Sequence, residues 1–515
     1  MVEPANAKET KVPATNTFDP AVASAIEDEK SMSVREALRR HPTAFIWSIF
    51  MFLTIVMEGY DISLMFSLFA FPPFVEKFGT YYPELGKKFI PGDWQVALGN
   101  AAACGSFIGL LLNGYVTERF GHRVVTIVGL IIMSGVIFIT FFAPNLEVLV
   151  AGQVLRLPAC LVNICWVIGQ FIGAGVLQAF VNDTSESGYR IPWAVQWAWP
   201  LPLILLALFA PDSPWWLIRQ GRVSEARKSV QRLSSGLSDA ETEQRVAMMA
   251  RTNELEESLI ANSSYWDCFK GTNLRRTEIA SMTLCSQNLP GQAMCYSASY
   301  FFIQAGLNAE NAYKLSLGSF GLAFFATILS WILMTYFGRR TLMLTGLTLL
   351  CADLLAIGTS AFATSQASMW VQSALAVVWL AIYSSTIGPQ SFTLAAEVSA
   401  TRLRSQTISI ARNAYIIVGI ITNTIQPYLI NPTEANLKGK AALVWFGVGV
   451  LTLIWAAFRL PETKDKTYEE LDILFEKRVP AWRFASTKLD VVAEAEILRD
   501  PRKLTAAEPI EDVHN

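Results

Sequence analysis

The chain has 515 residues, of which 52% are hydrophobic and only 16% are charged, and its formal net charge is −2. Soluble domains carry about a quarter charged residues, so this composition excludes an ordinary soluble protein. The near-neutral balance gives no indication of a nucleic-acid partner, and we expect none, because the Lys and Arg residues cluster in short segments between apolar blocks.

The apolar residues form blocks long enough to cross a membrane. Blocks of about 18 or more such residues are typical of membrane-spanning helices. The chain is therefore predicted to be an all-α polytopic membrane protein. Eleven such segments are counted, at 44–72, 95–116, 124–143, 161–181, 191–210, 279–303, 313–336, 341–362, 369–393, 405–429 and 441–460.

The polar segments predict how the chain is oriented. Residues 1–41 are polar and expected to be disordered, and the segment 212–278 carries ten Lys or Arg residues between the first five apolar segments and the last six. Short loops rich in Lys and Arg stay in the cytoplasm. We therefore expect both termini (1–41 and 463–515) and the loop 212–278 to be cytoplasmic. The helical bundles would then be 42–211 and 279–462, in a protein of the plasma membrane.

This orientation conflicts with the number of segments in the first half. An even number of helices must precede residue 212, yet five are counted. The block 124–181 holds only two charged residues, Glu147 and Arg156. Three helices of about 20 residues would fill this block and leave no turns, whereas two fit easily. The first half is therefore predicted to lack one helix.

Two carboxylates, Glu58 and Asp61, stand inside the first apolar segment. They are three residues apart and so share one helix face. A carboxylate at mid-membrane is costly and needs a partner, a proton or water. We interpret the pair as proton acceptors facing an aqueous cavity; the alternative is an ion pair or a packing group with a structural role only.

Arg412 lies inside the apolar segment 405–429. An arginine at that depth needs an acid, and Glu58 or Asp61 across a cavity is the natural candidate. Protonating the acid would weaken this pair, which could couple proton binding to substrate binding. The alternative is that Arg412 lies near the interface, where its long side chain reaches water.

Short motifs recur in both halves of the sequence. GYVTERFGHR (residues 114–123) and YFGRR (336–340) are basic turns at equivalent places, which is typical of a duplicated transporter. With these motifs the chain resembles the major facilitator superfamily and, within it, the sugar porter family, from about Glu58 to Thr467. Further motifs that carry the resemblance are PDSPWWL (211–217), QNLPG (287–291), the residues from Ala396 to Arg404, and PETK (461–464).

Finer details are most similar to the fungal α-glucoside (maltose-type) proton symporters: MEGYD, CWVIGQFI, QNLPGQ and ISIARNAY. The resemblance implies a major facilitator fold with two helical bundles and about 11 transmembrane helices instead of 12. Helix 4 and the following loop, on the order of thirty residues by helix length, are missing, because AGQVL (151–155) runs straight into a helix 5-like segment (156–170). Either the deduced amino-acid sequence has lost part of the coding sequence, or the gene itself carries a deletion.

The resemblance also implies roles for individual residues. Asp61 stands at the family's proton-coupling aspartate, Glu58 is an additional acid, and Arg412 completes the proton-coupling group. Sugars need amide hydrogen bonds and flat aromatic faces, although each amide could instead bond between helices. The candidate sugar-binding residues are Gln170, Gln287, Asn288, Gln292, Tyr296, Tyr300, Phe392, Asn413 and Trp193.

A cytoplasmic clasp that controls gating is the second implied site. Its first-half acid and arginine would lie in the missing loop, and Glu118 replaces the more usual aspartate. The candidate gating residues are Gly114, Glu118, Arg119, Arg123, Glu397, Arg402, Arg404, Arg339 and Arg340.

The predicted function is therefore secondary active transport of an α-glucoside with a proton, by alternating access. We expect no cofactor beyond the coupling proton, no bound metal and no enzymatic activity. The expected partners are the small-molecule sugar and the lipid bilayer, and the expected state is a monomer. The alternatives are a non-transporting sugar sensor, a transport-dead deletion product of such a gene, and a hexose uniporter.

Overall fold

A computed structural model describes residues 42–84, 86–155, 163–183, 185–234, 238–260, 264–296, 298–304, 306–363 and 365–487. The predicted disorder of residues 1–41 and the end of the predicted tail 463–515 lie outside these described residues, as does Arg156.

The first half of the chain forms helices and one short hairpin. Strands β1 (Thr80–Tyr82) and β2 (Lys87–Phe89) pair antiparallel, with Tyr81 opposite Lys88. The helices are α1 (Pro42–Leu68), α2 (Pro72–Phe78), α3 (Gly92–Phe120), α4 (His122–Phe141), α5 (Leu146–Val154), α6 (Asn163–Phe180), α7 (Glu186–Val195), α8 (Pro200–Phe209), α9 (Pro214–Arg219), α10 (Val223–Leu233) and α11 (Asp239–Ile260).

The second half is also helical. Single 3₁₀ turns at Tyr265–Phe269, Thr401–Leu403 and Lys438–Lys440 precede three of its helices. The helices are α12 (Gly271–Cys285), α13 (Gln292–Tyr296), α14 (Ala298–Gln304), α15 (Ala309–Tyr336), α16 (Arg339–Ser360), α17 (Gln366–Ser385), α18 (Ile387–Val398), α19 (Arg404–Ile430), α20 (Ala441–Arg459) and α21 (Tyr468–Glu476).

The helical, polytopic architecture predicted from the apolar blocks is confirmed. Within the described residues, eight helical stretches are long and apolar enough to cross a membrane: Pro42–Leu68, His122–Phe141, Glu186–Phe209, Ala309–Tyr336, Arg339–Ser360, Gln366–Val398, Thr401–Ile430 and Lys438–Arg459. A further apolar helix, Cys165–Phe180, is shorter. The count of eleven spanning helices stays a prediction.

One predicted segment, 279–303, is broken in the structure. Helix α12 ends at Cys285, and the chain turns through Pro290 and Gly291 before α13 begins at Gln292. Proline has no N–H to continue the helix, and Gly291 adopts a φ of 85° that favours glycine. The break places Gln287 and Asn288 in non-helical backbone and Gln292 at the start of α13.

The described residues form two units. One comprises the described residues within 42–48, Gly121–Arg123 and Ala210–Ser258; the other holds the rest of the described residues. In the first unit, part of the predicted loop 212–278 folds as helices α9 to α11, of which α10 is strongly amphipathic. Their apolar side chains form a small core of Leu217, Ile218, Ala226, Val230 and Val246.

In the second unit, α1 and α6 cross at glycines. A Cβ on Gly59 would lie 2.3 Å from the carbonyl oxygen of Trp166, and one on Gly169 would lie 2.0 Å from that of Val56. Small residues allow helix backbones to approach this closely. The crossing brings the carboxylates of α1 next to the side chains of α6.

Helix α5 lies where the family resemblance expects helix 4. Asn145 caps its start by accepting a hydrogen bond from the Val148 N–H (3.1 Å), and the helix ends at Val154 after nine residues. Nine residues rise about 13 Å, less than half of a membrane core of about 30 Å. The loss of the remainder of helix 4 and its loop stays a prediction.

Candidate functional site

A central cavity lies among helices from both halves of the chain, all within the second unit. It has a volume of about 230 Å³. Helices α1, α3, α4, α5 and α6 line it from the first half, and α13, α19 and the break before α13 line it from the second. The cavity is mostly apolar and carries a small number of polar groups, as small-molecule sites do.

The two predicted proton acceptors both line this cavity. The Trp166 indole N–H donates to Glu58 Oε2 (3.1 Å), and the Gln196 side-chain amide donates to Asp61 Oδ1 (2.8 Å). Asp61 is 9% exposed. Both carboxylates are therefore held by neutral donors from α6 and from the 3₁₀ turn after α7.

Arg412 lines the same cavity from α19. It is close enough to Glu58 to interact with it electrostatically. Its guanidinium also lies over the rings of Phe392 (5.4 Å to the centroid) and Tyr415 (5.8 Å). The structure therefore brings the three predicted proton-coupling residues together, and their role stays a prediction.

Four of the predicted sugar-binding residues line the cavity: Gln170, Asn288, Gln292 and Tyr296. The Tyr296 hydroxyl interacts with the side chains of Gln170, Gln292 and Tyr383. Because Gln170 belongs to the first half and Tyr296 to the second, this group connects the two bundles through hydroxyl and amide groups that a sugar could replace.

The other predicted sugar-binding residues lie outside the lining of this cavity. Gln287 accepts a hydrogen bond from Tyr383 (2.9 Å), and Tyr300 lines a smaller adjoining pocket, where Gln95 donates to its hydroxyl (3.3 Å). Trp193 is fully buried in the apolar core. Phe392 and Asn413 are only partly buried.

In the second half, the predicted gating residues form a network. Arg339 pairs with Glu397 (3.3 Å), and the backbone N–H groups of Arg339 and Arg340 donate to the Glu462 carboxylate (2.7 and 3.2 Å). The Arg404 guanidinium lies 4.2 Å from the ring centroid of Tyr468. The network holds the ends of α15, α16, α18 and α20 together; Arg402 is exposed at its edge.

The first-half counterpart differs. Arg119 donates to Tyr115 on its own helix (3.1 Å), and Arg123 lies 3.9 Å from Asp212. Gly114 lies within α3, and Glu118 is exposed near its end. The role of these four residues as a first-half clasp stays a prediction.

We call the end of the bundles that carries Arg339, Arg404 and Arg459 the inner end, and the opposite end the outer end. At the outer end, side-chain hydrogen bonds join the two halves. Five are recorded among the described residues: Tyr428 to Asp93 (2.6 Å), Asn100 to Thr424 (2.8 Å), Gln95 to Tyr300 (3.3 Å), Asn431 to the Ile90 carbonyl (3.3 Å) and Tyr313 to the Ser67 carbonyl.

Sequence analysis missed three polar residues of the site. Trp166 and Gln196 hold the carboxylates, and Gln153 of α5 lines the cavity at 1% exposure with no hydrogen-bond partner for its Nε2 among the described residues. The available signal was the position of Gln153 in an otherwise apolar helix. Nothing local marks Trp166 or Gln196, because their partners are more than a hundred residues away.

The fold and this cavity define a polytopic transporter with a major facilitator architecture. The family described as "Sugar (and other) transporter" matches residues 47–156 and 159–475, and the chain belongs to that family. The match is interrupted only at residues 157 and 158, one residue after the end of the segment AGQVL (151–155).

Similar proteins agree with this assignment. The general alpha-glucoside permease of Saccharomyces cerevisiae is 35% identical over 505 residues, covering 92% of this chain and 82% of the permease. The maltose permease MAL31 of the same organism is 33% identical over 515 residues, covering 93% and 84%.

The fold is similar to solved structures of the xylose transporter XylE from E. coli. Its inward open conformation has a TM-score of 0.65 and 18% identity, covering 84% of this chain and 99% of that chain. The proton:xylose symporter bound to 6-bromo-6-deoxy-D-glucose has a TM-score of 0.61 and 17% identity, with 84% and 99% coverage. At this identity the likeness shows the fold alone.

Proposed function

We propose that the chain imports an α-glucoside disaccharide of the maltose type together with a proton, by alternating access. The carrying observation is that Glu58, Asp61 and Arg412 line one cavity with amides and a tyrosine from both bundles. The names of the similar permeases support the substrate class. We propose further that the protein acts as a monomer, without enzymatic activity or a cofactor other than the proton.

The coupling follows from the charges in the cavity. With both carboxylates ionised, the single guanidinium of Arg412 leaves a net negative charge in an apolar surrounding, which is costly. A proton on one carboxylate removes that cost, and sugar hydroxyls satisfy the amides of Gln170 and Gln292. The loaded cavity is then neutral and fully hydrogen-bonded, and this state favours the change between outer and inner access.

The orientation is part of the proposal. The inner end carries Arg339, Arg340, Arg404 and Arg459. Arginines and lysines in short loops remain on the cytoplasmic side. We therefore place the inner end and both termini in the cytoplasm. The five hydrogen bonds at the outer end then lie toward the outside of the plasma membrane.

The short α5 supports a second candidate, a transport-dead deletion product. A helix of about 13 Å does not cross the membrane, and the family match is interrupted just after it. A chain in which the following loop is missing would also lose the acid and arginine that the resemblance expects in the first-half clasp. This candidate keeps the family and the sugar cavity but loses the alternation between two accessible states.

The test uses this 515-residue chain in cells that lack their own maltose carriers. After surface delivery is confirmed, labelled maltose is added and external pH is recorded together with uptake. Uptake with alkalinisation supports the symporter, and the variant Asp61→Asn should abolish the alkalinisation. A surface-delivered chain that takes up no maltose would favour the deletion product. Insertion of about thirty residues after Leu155, taken from a similar permease, should then restore uptake.

A further inference from the structure

Trp166 lines the cavity and contacts residues from both halves of the chain. It stands in the first turn of α6, and its indole N–H donates to Glu58 (3.1 Å). The contact depends on Gly59, because any Cβ there would lie 2.7 Å from the Cα of Trp166. The glycine next to the acid thus allows the tryptophan to reach it.

The same indole also contacts the second half of the chain. Its ring meets the ring of Phe392 edge-on, with centroids 6.5 Å apart and planes at 61°. The guanidinium of Arg412 lies 5.4 Å from the centroid of the same Phe392 ring. A continuous chain of contacts therefore runs from Glu58 through Trp166 and Phe392 to Arg412.

This chain of contacts lies on the inner side of the cavity. Among the residues of α19 that line the cavity, Arg412 is the one nearest to the inner end of that helix. Phe392 lies six residues before the inner end of α18. The five hydrogen bonds that join the halves lie at the outer end instead.

We propose that Trp166 is a positioning residue that transmits the protonation state of Glu58 to a barrier at the inner side of the cavity, formed by the rings of Trp166 and Phe392. An indole N–H bonds strongly to a carboxylate and more weakly to a neutral carboxylic acid. An ionised Glu58 thus holds the indole in place against Phe392, and a protonated Glu58 releases it. The inference rests on the proposed proton symport.

Other charged or titratable groups face Glu58 and share its pH response. Asp61 lies one turn further along α1, Arg412 faces it from α19, and Tyr296 and Tyr415 line the same cavity. The lining residues of α3 and α5 are not titratable. A specific test must therefore change the indole hydrogen bond and leave every one of these groups intact.

The variant Trp166→Phe keeps an aromatic ring next to Phe392 and removes the N–H. Trp197→Phe is the matched control, because Trp197 loses a comparable bond, to the Ser134 carbonyl (3.3 Å), outside the cavity lining. Removing a donor to the ionised acid favours its protonated form. In Trp166→Phe the pH midpoint of maltose uptake should move upward by roughly half a unit to one unit, a three- to tenfold change in proton affinity.

Proton coupling gives the second readout. Trp166→Phe should move fewer protons per maltose than the unchanged chain, whereas Trp197→Phe should match it. In a chain that already carries Glu58→Gln, adding Trp166→Phe should shift nothing further. An unchanged midpoint and proton ratio in surface-delivered Trp166→Phe would overturn the proposal, as would an equal shift in Trp197→Phe.

A measurement without transport separates this inference from the proposed function. The purified full chain, labelled with ¹⁵N-tryptophan, gives an indole resonance for Trp166 that the Trp166→Phe variant assigns. This resonance should move with pH in the unchanged chain and stay fixed in Glu58→Gln. If maltose is not transported at all, the proposed function fails while this result still decides the inference. A resonance that does not respond to pH, or that responds equally in Glu58→Gln, overturns it.

Discussion

The crossing of α1 and α6 should tolerate no side chain at Gly169. A Cβ at this position would lie 2.0 Å from the Val56 carbonyl oxygen and 2.5 Å from the Tyr60 nitrogen, both of them backbone atoms. Ordinary contacts begin near 3.4 Å. Gly169→Ala therefore requires the helices to separate by about 1.4 Å (3.4 − 2.0), because backbone cannot rotate away as a side chain can.

The expected cost is about 2–3 kcal/mol, the usual range for overpacking, even after the helix propensity gained by alanine. Gly175→Ala on the same helix is the matched control, since its Cβ would meet only Leu317 Cδ1 at 3.7 Å. That variant gains the propensity without the clash and should be unchanged or more stable by up to about 1 kcal/mol.

The measurement is thermal unfolding of the detergent-solubilised chain, followed by the loss of the monodisperse peak in size-exclusion chromatography. Gly169→Ala should lose this peak several degrees below the unchanged chain, and Gly175→Ala should not. A Gly169→Ala protein that is as heat-resistant as Gly175→Ala would refute the close approach of the two helices. The Glu58–Trp166 hydrogen bond, which depends on that approach, would then be in error as well.

Three further outcomes are expected. Asp61→Asn should keep maltose binding in a filter assay and lose proton movement, and retained alkalinisation would contradict the coupling role. Arg276→Ala removes the ion pair with Asp472 and the contact with the Phe475 ring (4.5 Å), both of which hold α21 in place. Tryptic cleavage after Lys477 should therefore increase about tenfold. Equal cleavage in the variant and the unchanged chain would show that other contacts hold α21. The Ser264 backbone N–H and Lys270 hold the pKa of Asp267 below its usual range. Protection of the turn Tyr265–Phe269 from hydrogen exchange should therefore be present above about pH 4 and be lost as the pH falls further. In Asp267→Asn this protection should be independent of pH.

Charges in apolar segments were predictable from the sequence. Glu58, Asp61 and Arg412 stand out because an ionisable group in a membrane helix is expensive, whatever the surrounding fold. The structure places all three at one cavity. The family was equally accessible, since its motifs are local and follow one another in a fixed order.

The partners of these charges were not predictable from the sequence. Gln196 reaches Asp61 and Trp166 reaches Glu58 only because α1 crosses α6 at two glycines and because the chain turns after α7. Such contacts depend on helix crossings rather than on local pattern. For the same reason the sequence could not separate Gln292, which lines the cavity, from Gln287, which lies outside its lining although both side chains bond to Tyr383.

The break in the sixth predicted segment, 279–303, shows an intermediate case. Pro290 and Gly291 lie within QNLPG, and both residues disfavour a continuous helix. The apolar run from 279 to 303 nevertheless predicted one segment, because hydropathy averages over such an interruption. The structure ends one helix at Cys285 and begins the next at Gln292.

In the proposed orientation, the hydrogen bonds of the outer end set a cost on the entry of sugar from outside the cell. If each of the five contributes about 1 kcal/mol net, opening that end costs about 5 kcal/mol, and an unliganded molecule is open to the outside about once in several thousand. Sugar arriving from outside then binds with an apparent affinity weaker by the same factor. Apparent affinity is thus a property of residues that never meet the sugar, such as Tyr313 and Asn100. Removing one of these five hydrogen bonds therefore strengthens the apparent affinity for sugar outside the cell while the cavity stays unchanged.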